Sequence, residues 1–328
     1  MKSLKGLALG IGSLPHKNPD AALDLVFKYL PQIPFWPQLP KRDAREGMVA
    51  QFTEHLACKE SDLEVFYERL IANDLEYFKI SPEAAFGLYK FLTRPELKKA
   101  ELIKAHITGP FTFAAGIKDE SGKALLSDPA LMQAVIKGLS MKALWQMDLL
   151  KKFGKKVIMF LDEPYLGCFG SAYTPINRED VVKGLSELAA PLKAQGALVG
   201  VHCCGNTDWS IFTDTKEIDI INFDAFGFFE KLALYSDNLK RFFGRGGILC
   251  WGIVPTQEFS DKITAQDLVA KINSCVDVLV KKGLDRKLVL DQLLISPACG
   301  LGSLDEARAE KILKLLSETS AILRRGEK

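Results

Sequence analysis

The chain has 328 residues, of which 48% are hydrophobic and 26% charged, and its formal net charge is +2. This composition is typical of a globular α/β protein, and the absence of a clearly basic face argues against nucleic-acid binding. The apolar run near the N-terminus is short and lacks a clear cleavage pattern, and no stretch approaches the ~20 apolar residues that span a bilayer, so we expect no membrane association. Seven cysteines, an odd number at low density, favour a reducing, cytoplasmic compartment.

Short apolar runs rich in β-branched residues alternate along the chain with amphipathic stretches, and this alternation predicts strands separated by helices. Eight strands are predicted, namely Leu7–Ile11, Gln32–Trp36, Leu102–Ile107, Lys156–Leu161, Ala197–Val201, Ile218–Phe223, Gly247–Trp251 and Leu288–Ile295. Eight strand–helix units in a chain of this length predict an α/β fold with one (β/α)8 barrel, a TIM barrel, over residues 1–328.

Several helix positions follow from cap signals. One helix is predicted over Pro129–Phe153, and another begins near Thr264, where Asp267 has the spacing of a capping partner. The last is predicted to begin at Ser303, with a capping box to Glu306, and to end near Arg325. The interval 49–98 after the second strand is long for one crossover, so we expect extra helices there, one of them starting at Ser81-Pro82-Glu83.

Polar residues follow the predicted strands at their carboxyl ends. These stretches are Gly12-Ser13, Asp162-Glu163-Pro164, His202-Cys203-Cys204, Asp224 and Ser296-Pro297-Ala298-Cys299. In a barrel the carboxyl ends of all strands lie on one face, where active sites are built, so we expect these residues to converge. In a doubly wound sheet the same ends would be spread along a line, so the convergence depends on the barrel.

The pair His202 and Cys204 indicates a metal site. Residues two apart in a strand point the same way, whereas Cys203 points to the other side. With Cys299 as a third ligand, one imidazole and two thiolates form a borderline-soft set for which Zn2+ is the expected occupant. Three ligands from separate strand ends favour an open, catalytic site over a zinc finger. Asp224 is either a fourth, weaker ligand or a helix cap or salt-bridge partner.

Two acidic residues at the end of the fourth predicted strand are the candidate catalytic pair. Asp162 and Glu163 can bind a substrate ammonium, although Glu163 fits a structural, inward-facing carboxylate equally well. Water activation at the metal is less expected than thiol activation, because two thiolate ligands lower the Lewis acidity of the metal and no general base is placed nearby.

Five motifs, in this order, match one enzyme family. They are Gly10-Ile11-Gly12-Ser13-Leu14-Pro15, Thr108-Gly109-Pro110, Asp162-Glu163-Pro164, His202-Cys203-Cys204 and Cys299-Gly300-Leu301. Through them, nearly the whole chain resembles the catalytic, C-terminal barrel of cobalamin-independent methionine synthase. More broadly, it resembles the zinc-dependent methyltransferases that share the uroporphyrinogen decarboxylase-like barrel.

The resemblance implies a methyltransferase that acts on the thiol of homocysteine and forms methionine. It implies that Ile11, Gly12 and Ser13 contact the substrate, with its carboxylate near Ser13, and that Asp162 binds its amino group. It also implies that Zn2+ is held by a fixed set of residues and activates the thiol. These metal ligands are His202, Cys204, Cys299 and, before substrate binds, Asp224, which stands where the family has a glutamate.

Departures from the family concern the folate donor. Gly116, Cys168 and Ile253 stand where the family has a tryptophan under the folate, a glutamate that contacts it and a histidine proton donor. The sequence also has no counterpart of the folate-binding N-terminal half, and no clear match at Lys41-Arg42-Asp43 for a further glutamate. The string His202-Cys203-Cys204-Gly205-Asn206 resembles the motif of corrinoid-using members.

These departures predict a methylated corrinoid as the methyl donor, presented by a corrinoid protein, because cob(I)alamin leaves without needing a proton. Two alternatives stay open. The acceptor is another small thiol such as coenzyme M, or the barrel is a non-catalytic module that binds zinc or a corrinoid protein.

Overall fold

A computed structural model describes residues 4–171, 174 and 176–325. At its centre is one parallel sheet of seven strands, which curls into a half-barrel and has the order β1-β7-β6-β5-β4-β3-β2. The predicted α/β class with a parallel sheet is therefore confirmed. The strands are β1 (Leu7–Ala8), β2 (Leu102–Thr108), β3 (Lys156–Asp162), β4 (Leu198–Cys203), β5 (Ile220–Phe223), β6 (Ile248–Val254) and β7 (Leu293–Pro297).

Twelve α-helices lie within the described residues. They are α1 (Pro19–Tyr29), α2 (Leu63–Ile71), α3 (Phe86–Phe91), α4 (Pro110–Gly116), α5 (Pro129–Lys151), α6 (Arg178–Ala194), α7 (Ser210–Asp214), α8 (Ala225–Leu232), α9 (Ser236–Gly244), α10 (Ala265–Lys281), α11 (Arg286–Asp291) and α12 (Glu306–Arg325). Helices α2 and α3 are the expected extra helices between residues 49 and 98. No helix in the described ranges combines the length and the apolarity that a bilayer crossing requires.

The two faces of the curled sheet carry separate cores. The larger core includes side chains of alternate strand residues, such as Ile103 and Val199, and of the helices. The smaller one lies on the inner face and is built from the intervening residues, such as Leu102, Phe160 and Leu198. Because both faces are buried, the strands read as nearly continuous apolar runs, as is usual for parallel sheets.

The second predicted strand, Gln32–Trp36, is not a strand, so eight strands are not seen. The chain over residues 32–38 nevertheless bonds to β2 and to the loop after β1: the Lys104 amide of β2 donates to the Pro34 carbonyl at 2.9 Å, and the Gln38 amide donates to the Gly12 carbonyl at 3.0 Å. Pro34 and Pro37 explain the difference, because a residue without an N–H cannot continue a regular ladder. The half-barrel is thus not closed by an eighth strand.

The helix caps show which of the predicted helix starts are correct. The Thr264 capping box is confirmed, since its side chain and that of Asp267 bond reciprocally to each other's backbone. The Ser303 box is wrong, because α12 begins at Glu306 and the Asp305 carboxylate accepts the Arg308 amide at 2.8 Å. Ser81 likewise caps a turn, and α3 begins only at Phe86.

The eighth predicted strand is too long at its start. Residues 286–291 form α11, because Asp285 caps that helix by accepting the Leu288 amide at 2.7 Å. The strand β7 begins at Leu293, after the helix has ended.

Gly10 allows the segment 32–38 to pack against the end of β1. A Cβ at Gly10 would lie 2.2 Å from the buried Phe35 ring. We expect Gly10→Ala to lower the free energy of unfolding by ~1–3 kcal/mol, as overpacking does in other cores. Urea denaturation measures this loss.

Gly244→Ala is the matched control, because Gly244 ends α9 with open space around it. It should stay within about 0.5 kcal/mol of the wild type. Equal stability of the two variants would contradict the tight packing at Gly10.

Candidate metal centre

A cavity of about 250 Å³ lies at the carboxyl ends of the strands. Its wall is formed by the loop after β1, the segment 38–48, the ends of β3 and β4, and the loop after β7. The structure brings most of the predicted site residues together there, namely Ile11, Gly12, Ser13, Asp162, His202, Cys204 and Cys299. Glu163 and Asp224 are not in this wall.

His202, Cys204 and Cys299 form a group that can hold a metal ion. One ligand atom from each residue lies within 4.8 Å of the other two, His202 is buried and the cysteines are half-buried. The strand alternation confirms that Cys203 faces away, since its side chain lies in the helix-side core and its thiol donates to the Gly205 carbonyl at 3.6 Å. One imidazole and two thiol groups are a set of ligands that suits a borderline-soft metal ion.

A hydrogen bond to Asn222 orients the His202 ring. Its Nδ1 lies 2.5 Å from Oδ1 of Asn222, the residue beside it on β5. The other nitrogen, Nε2, is thereby left as the metal-binding atom. A hydrogen bond of this kind is the usual way in which proteins orient a histidine ligand.

The two sulfur atoms interact strongly with each other. The hydrogen bond with Cys204, together with one to His202, holds the pKa of Cys299 below its ordinary value. The same bond to Cys299, assisted by burial, raises the pKa of Cys204. Burial opposes the charged form of His202, but the interactions with Cys299, Asp162 and Asn222 together outweigh it and raise the pKa of His202. The cluster thus already stabilises thiolate character at Cys299, the form that binds metals.

Asp162 ends β3 and lines the cavity. Its side chain is 8% exposed, and its Oδ1 has no hydrogen-bond partner among the described residues. Burial raises the pKa of Asp162 to about 6, against the opposing effects of Lys104 and His202. A buried carboxylate oxygen without a donor is suited to an incoming cationic group.

Glu163, expected as the other member of the catalytic pair, has a different place in the structure. It is fully buried, and its carboxylate accepts the amides of Phe111 and Thr112, each at 2.9 Å, and the Thr112 hydroxyl at 2.6 Å. Burial raises the pKa of Glu163 to about 7, although these hydrogen bonds oppose the shift. The geometry therefore supports the structural alternative, in which Glu163 caps the first turn of α4.

Asp224, expected as a fourth metal ligand, is also a helix cap. Its Oδ1 accepts the amides of Phe226 and Gly227 at the start of α8, both at 2.9 Å. It does not belong to the group of three potential ligands and lines a neighbouring cavity of about 190 Å³ instead. Of the two alternatives open in the sequence, this arrangement supports the cap.

The loop after β1 is bonded to the loop that carries Cys299. The Ser13 carbonyl accepts the Leu301 amide at 3.0 Å, and the Ser13 Oγ accepts the Gly302 amide at 3.1 Å. A Cβ at Gly300 would lie 2.4 Å from that Oγ, so the close approach needs a glycine there. Ser13 consequently supports the cavity wall as well as lining it.

Lys104 and Asn222 are polar residues of the inner face that the sequence reasoning missed. Lys104 is fully buried in β2, its Nζ donates to the Ile11 carbonyl, and burial lowers its pKa to about 8. Asn222 is fully buried in β5. The available signal was a polar residue inside a fully buried strand, since such a residue needs a buried partner.

Neither a scan of protein-family models nor a search of curated proteins found a match to this chain.

Replacement of either sulfur ligand should weaken metal binding. We expect Cys204→Ser and Cys299→Ser to lower zinc affinity by more than the ~10–100-fold that loss of an outer hydrogen-bond partner costs. Titration against a chromogenic chelator measures the affinity. Cys203→Ala is the control, because it removes the neighbouring thiol on the opposite face, and zinc affinity close to that of the wild type is expected. Normal zinc affinity in Cys299→Ser would remove Cys299 from the centre.

Glu163→Gln should lower stability without changing zinc affinity. The glutamine has one acceptor oxygen, and its NH2 group would face the donors of α4, so a loss of ~1–3 kcal/mol is expected. Thermal or urea unfolding measures it. The preceding carboxylate gives the control: Asp162→Asn removes no internal bond to Oδ1 and should cost less. A stable Glu163→Gln variant with impaired zinc binding would contradict the capping role.

Proposed function

We propose that this protein is a zinc-dependent methyltransferase that transfers a methyl group to the thiol of homocysteine and forms methionine. The observation that carries the proposal is that Asp162, whose buried Oδ1 has no hydrogen-bond partner among the described residues, lines the same cavity as His202, Cys204 and Cys299. A substrate with both a thiol and an ammonium group matches the pair. The order of the five sequence motifs supports the same assignment.

The proposed architecture is a single-domain (β/α)8 barrel in which the segment 32–38 takes the place of the second strand. Its hydrogen bonds to Lys104 on β2 and to the loop after β1 support this interpretation. A parallel bridge also pairs Phe35 with Lys104, and another pairs Ser13 with Gln38. The carboxyl ends of the strands would then form the mouth of the barrel, where this fold places its active sites.

The protein's own residues bind and orient the substrate. Ionised Asp162 attracts the ammonium, and Ser13 with the backbone of Ile11 and Gly12, which line the same cavity, binds the carboxylate. Between these two anchor points the thiol faces the three ligand side chains. Fixing both ends of a small amino acid in this way leaves its sulfur in one position, which lowers the entropic cost of an in-line transfer.

His202, Cys204 and Cys299 would hold the zinc, whose chemical contribution when bound is to lower the pKa of a substrate thiol. The nucleophile in methyl transfer is the thiolate, and a free alkyl thiol is mostly protonated at neutral pH. The two cysteine ligands keep electron density high at the centre. This favours nucleophilic attack by sulfur over water activation.

The donor in this proposal is a methylated corrinoid presented by a separate corrinoid protein. The reasons are the residues Gly116, Cys168 and Ile253, which replace the folate contacts and the proton donor of the similar family. Cob(I)alamin is a leaving group that needs no proton, so a missing acid at Ile253 would not obstruct the transfer.

Asp162 also favours homocysteine over the main alternative acceptor, coenzyme M. A sulfonate thiol such as coenzyme M has no ammonium for this carboxylate, and a buried negative charge near its sulfonate would repel it. A non-catalytic zinc or corrinoid-docking module is the other alternative, and only an activity measurement separates it.

The test is anaerobic demethylation of methylcobalamin by the zinc-loaded protein, followed by the loss of its absorption spectrum after homocysteine is added. We expect fast demethylation that a chelator abolishes. In Asp162→Asn, the KM for homocysteine should rise ~10–100-fold, equivalent to the ~1.5–3 kcal/mol of a charged hydrogen bond. Reaction with 3-mercaptopropionate, a thiol acid without an ammonium, should be affected much less.

No demethylation by a fully zinc-loaded protein would reject free methylcobalamin as donor, and methyltetrahydrofolate is then tested in the same assay. If the protein is inactive with both donors, the non-catalytic binding module is favoured. An equal loss of activity with homocysteine and with 3-mercaptopropionate in Asp162→Asn would contradict the ammonium-binding role of Asp162.

A further inference from the structure

Asn222 occupies the centre of a buried hydrogen-bond network behind the metal centre. Its Nδ2 donates to the Cys250 carbonyl on β6 at 2.9 Å and to the Ser296 Oγ on β7 at 2.8 Å. Its Oδ1 lies 2.5 Å from His202 Nδ1. All four residues of this network, His202, Asn222, Cys250 and Ser296, are almost entirely inaccessible to solvent.

The polarity of every bond in this network is fixed by chemistry. A backbone carbonyl can only accept, so the group of Asn222 that faces Cys250 must be the NH2. The Ser296 hydroxyl donates to the Pro297 carbonyl at 2.9 Å, so its oxygen accepts from the same NH2. The amide oxygen of Asn222 is therefore turned to His202 and can only accept there.

This polarity determines the tautomer of His202. An acceptor at 2.5 Å from Nδ1 requires that the proton sits on Nδ1. The lone pair is then on Nε2, the nitrogen left for a metal together with Cys204 and Cys299. A histidine with the opposite tautomer would direct an N–H at the metal position and could not bind there.

The network also joins the strands that carry the ligands. His202 pairs with Asn222 in the register of β4 and β5, and Asn222 pairs with Cys250 in that of β5 and β6. Ser296 adds β7, three residues before Cys299. The amide thus ties the imidazole ligand to the strand that leads to a thiolate ligand.

We propose that Asn222 is the positioning residue of the metal centre, which holds His202 in the Nδ1–H tautomer and couples its ring to the β7 strand through Ser296. The inference rests on the metal centre of the proposed function and is independent of the methyl donor and the acceptor thiol.

The test compares Asn222→Leu with the wild type by two readouts. Leucine has a similar volume but accepts no hydrogen bond. Long-range 15N–1H correlation spectra of histidine-labelled protein report the tautomer, and the chain has four histidines, so its signals are few. Zinc affinity is measured by chelator competition. We expect loss of the uniform Nδ1–H signature at His202 and ~10–100-fold weaker zinc binding, the usual effect of removing such a partner.

Gln146→Leu is a matched control for buried polar loss. Gln146 is a fully buried amide that also bonds to a ring N–H and a backbone carbonyl, since it accepts the Trp36 ring N–H at 3.0 Å and donates to the His106 carbonyl at 3.1 Å. It does not line the metal cavity. This variant should lose comparable stability and keep both zinc affinity and the His202 tautomer. Equal zinc loss in both leucine variants would reduce Asn222 to a merely structural residue and overturn the proposal.

Ser296→Ala is the milder variant, should Asn222→Leu fail to fold. It leaves Asn222 against His202 but removes one of the two bonds that orient the amide, so both readouts should move in the same direction by a smaller amount. An unchanged tautomer and zinc affinity in the folded variants would overturn the proposal. The tautomer readout needs no metal, so failure of wild-type protein to bind zinc would count against the proposed function separately.

Discussion

The register of four neighbouring strands is the constraint on which the candidate site depends. Asp162, His202, Asn222 and Cys250 are successive partners across β3, β4, β5 and β6. Paired residues in a sheet point to the same face, so this row places an acid, an imidazole and an amide side by side on the inner face. A slip of one residue in any of these strands would turn its member of the row toward the helices. The apolar residues on both sides of the row oppose such a slip, because each strand is buried on both faces.

The inner face separates into two levels with different chemistry. Leu102, Phe160, Leu198 and Ile220 fill the lower level with apolar side chains. Above them the row of polar residues begins, and it is satisfied internally wherever it does not meet the cavity. Asn222 uses its NH2 group and its amide oxygen within the protein, whereas Asp162, which lines the cavity, has a buried Oδ1 without a hydrogen-bond partner among the described residues. Such an unpartnered buried oxygen is costly.

Two loops complete the cavity because glycines allow their backbones to approach closely. The loop after β1 and the loop after β7 are joined at Ser13, and Gly300 has no room for a side chain beside it. This junction fixes Cys299, which lies outside the regular sheet, relative to His202 on β4 and to Cys204, which directly follows that strand. Cys299 thus owes its position to a loop–loop contact, whereas His202 owes its position to the register of β4.

The sequence by itself determined the α/β class, the parallel sheet, the extra helices and the pairing of His202 with Cys204 on one side of a strand. These features depend on local periodicity and on the alternation of strand side chains, which a sequence displays directly. The tertiary structure decided the rest. Glu163 and Asp224 would stand at the end of a strand whether they bound a ligand or capped a helix. Only the tertiary structure shows that their oxygens accept amides at the start of α4 and α8. Pro34 and Pro37 break the second strand, yet contacts with β2 place that segment at the sheet edge. Asn222 and Lys104 became visible as partners of His202 and of the Ile11 carbonyl only in three dimensions, because those partners come from other strands and loops.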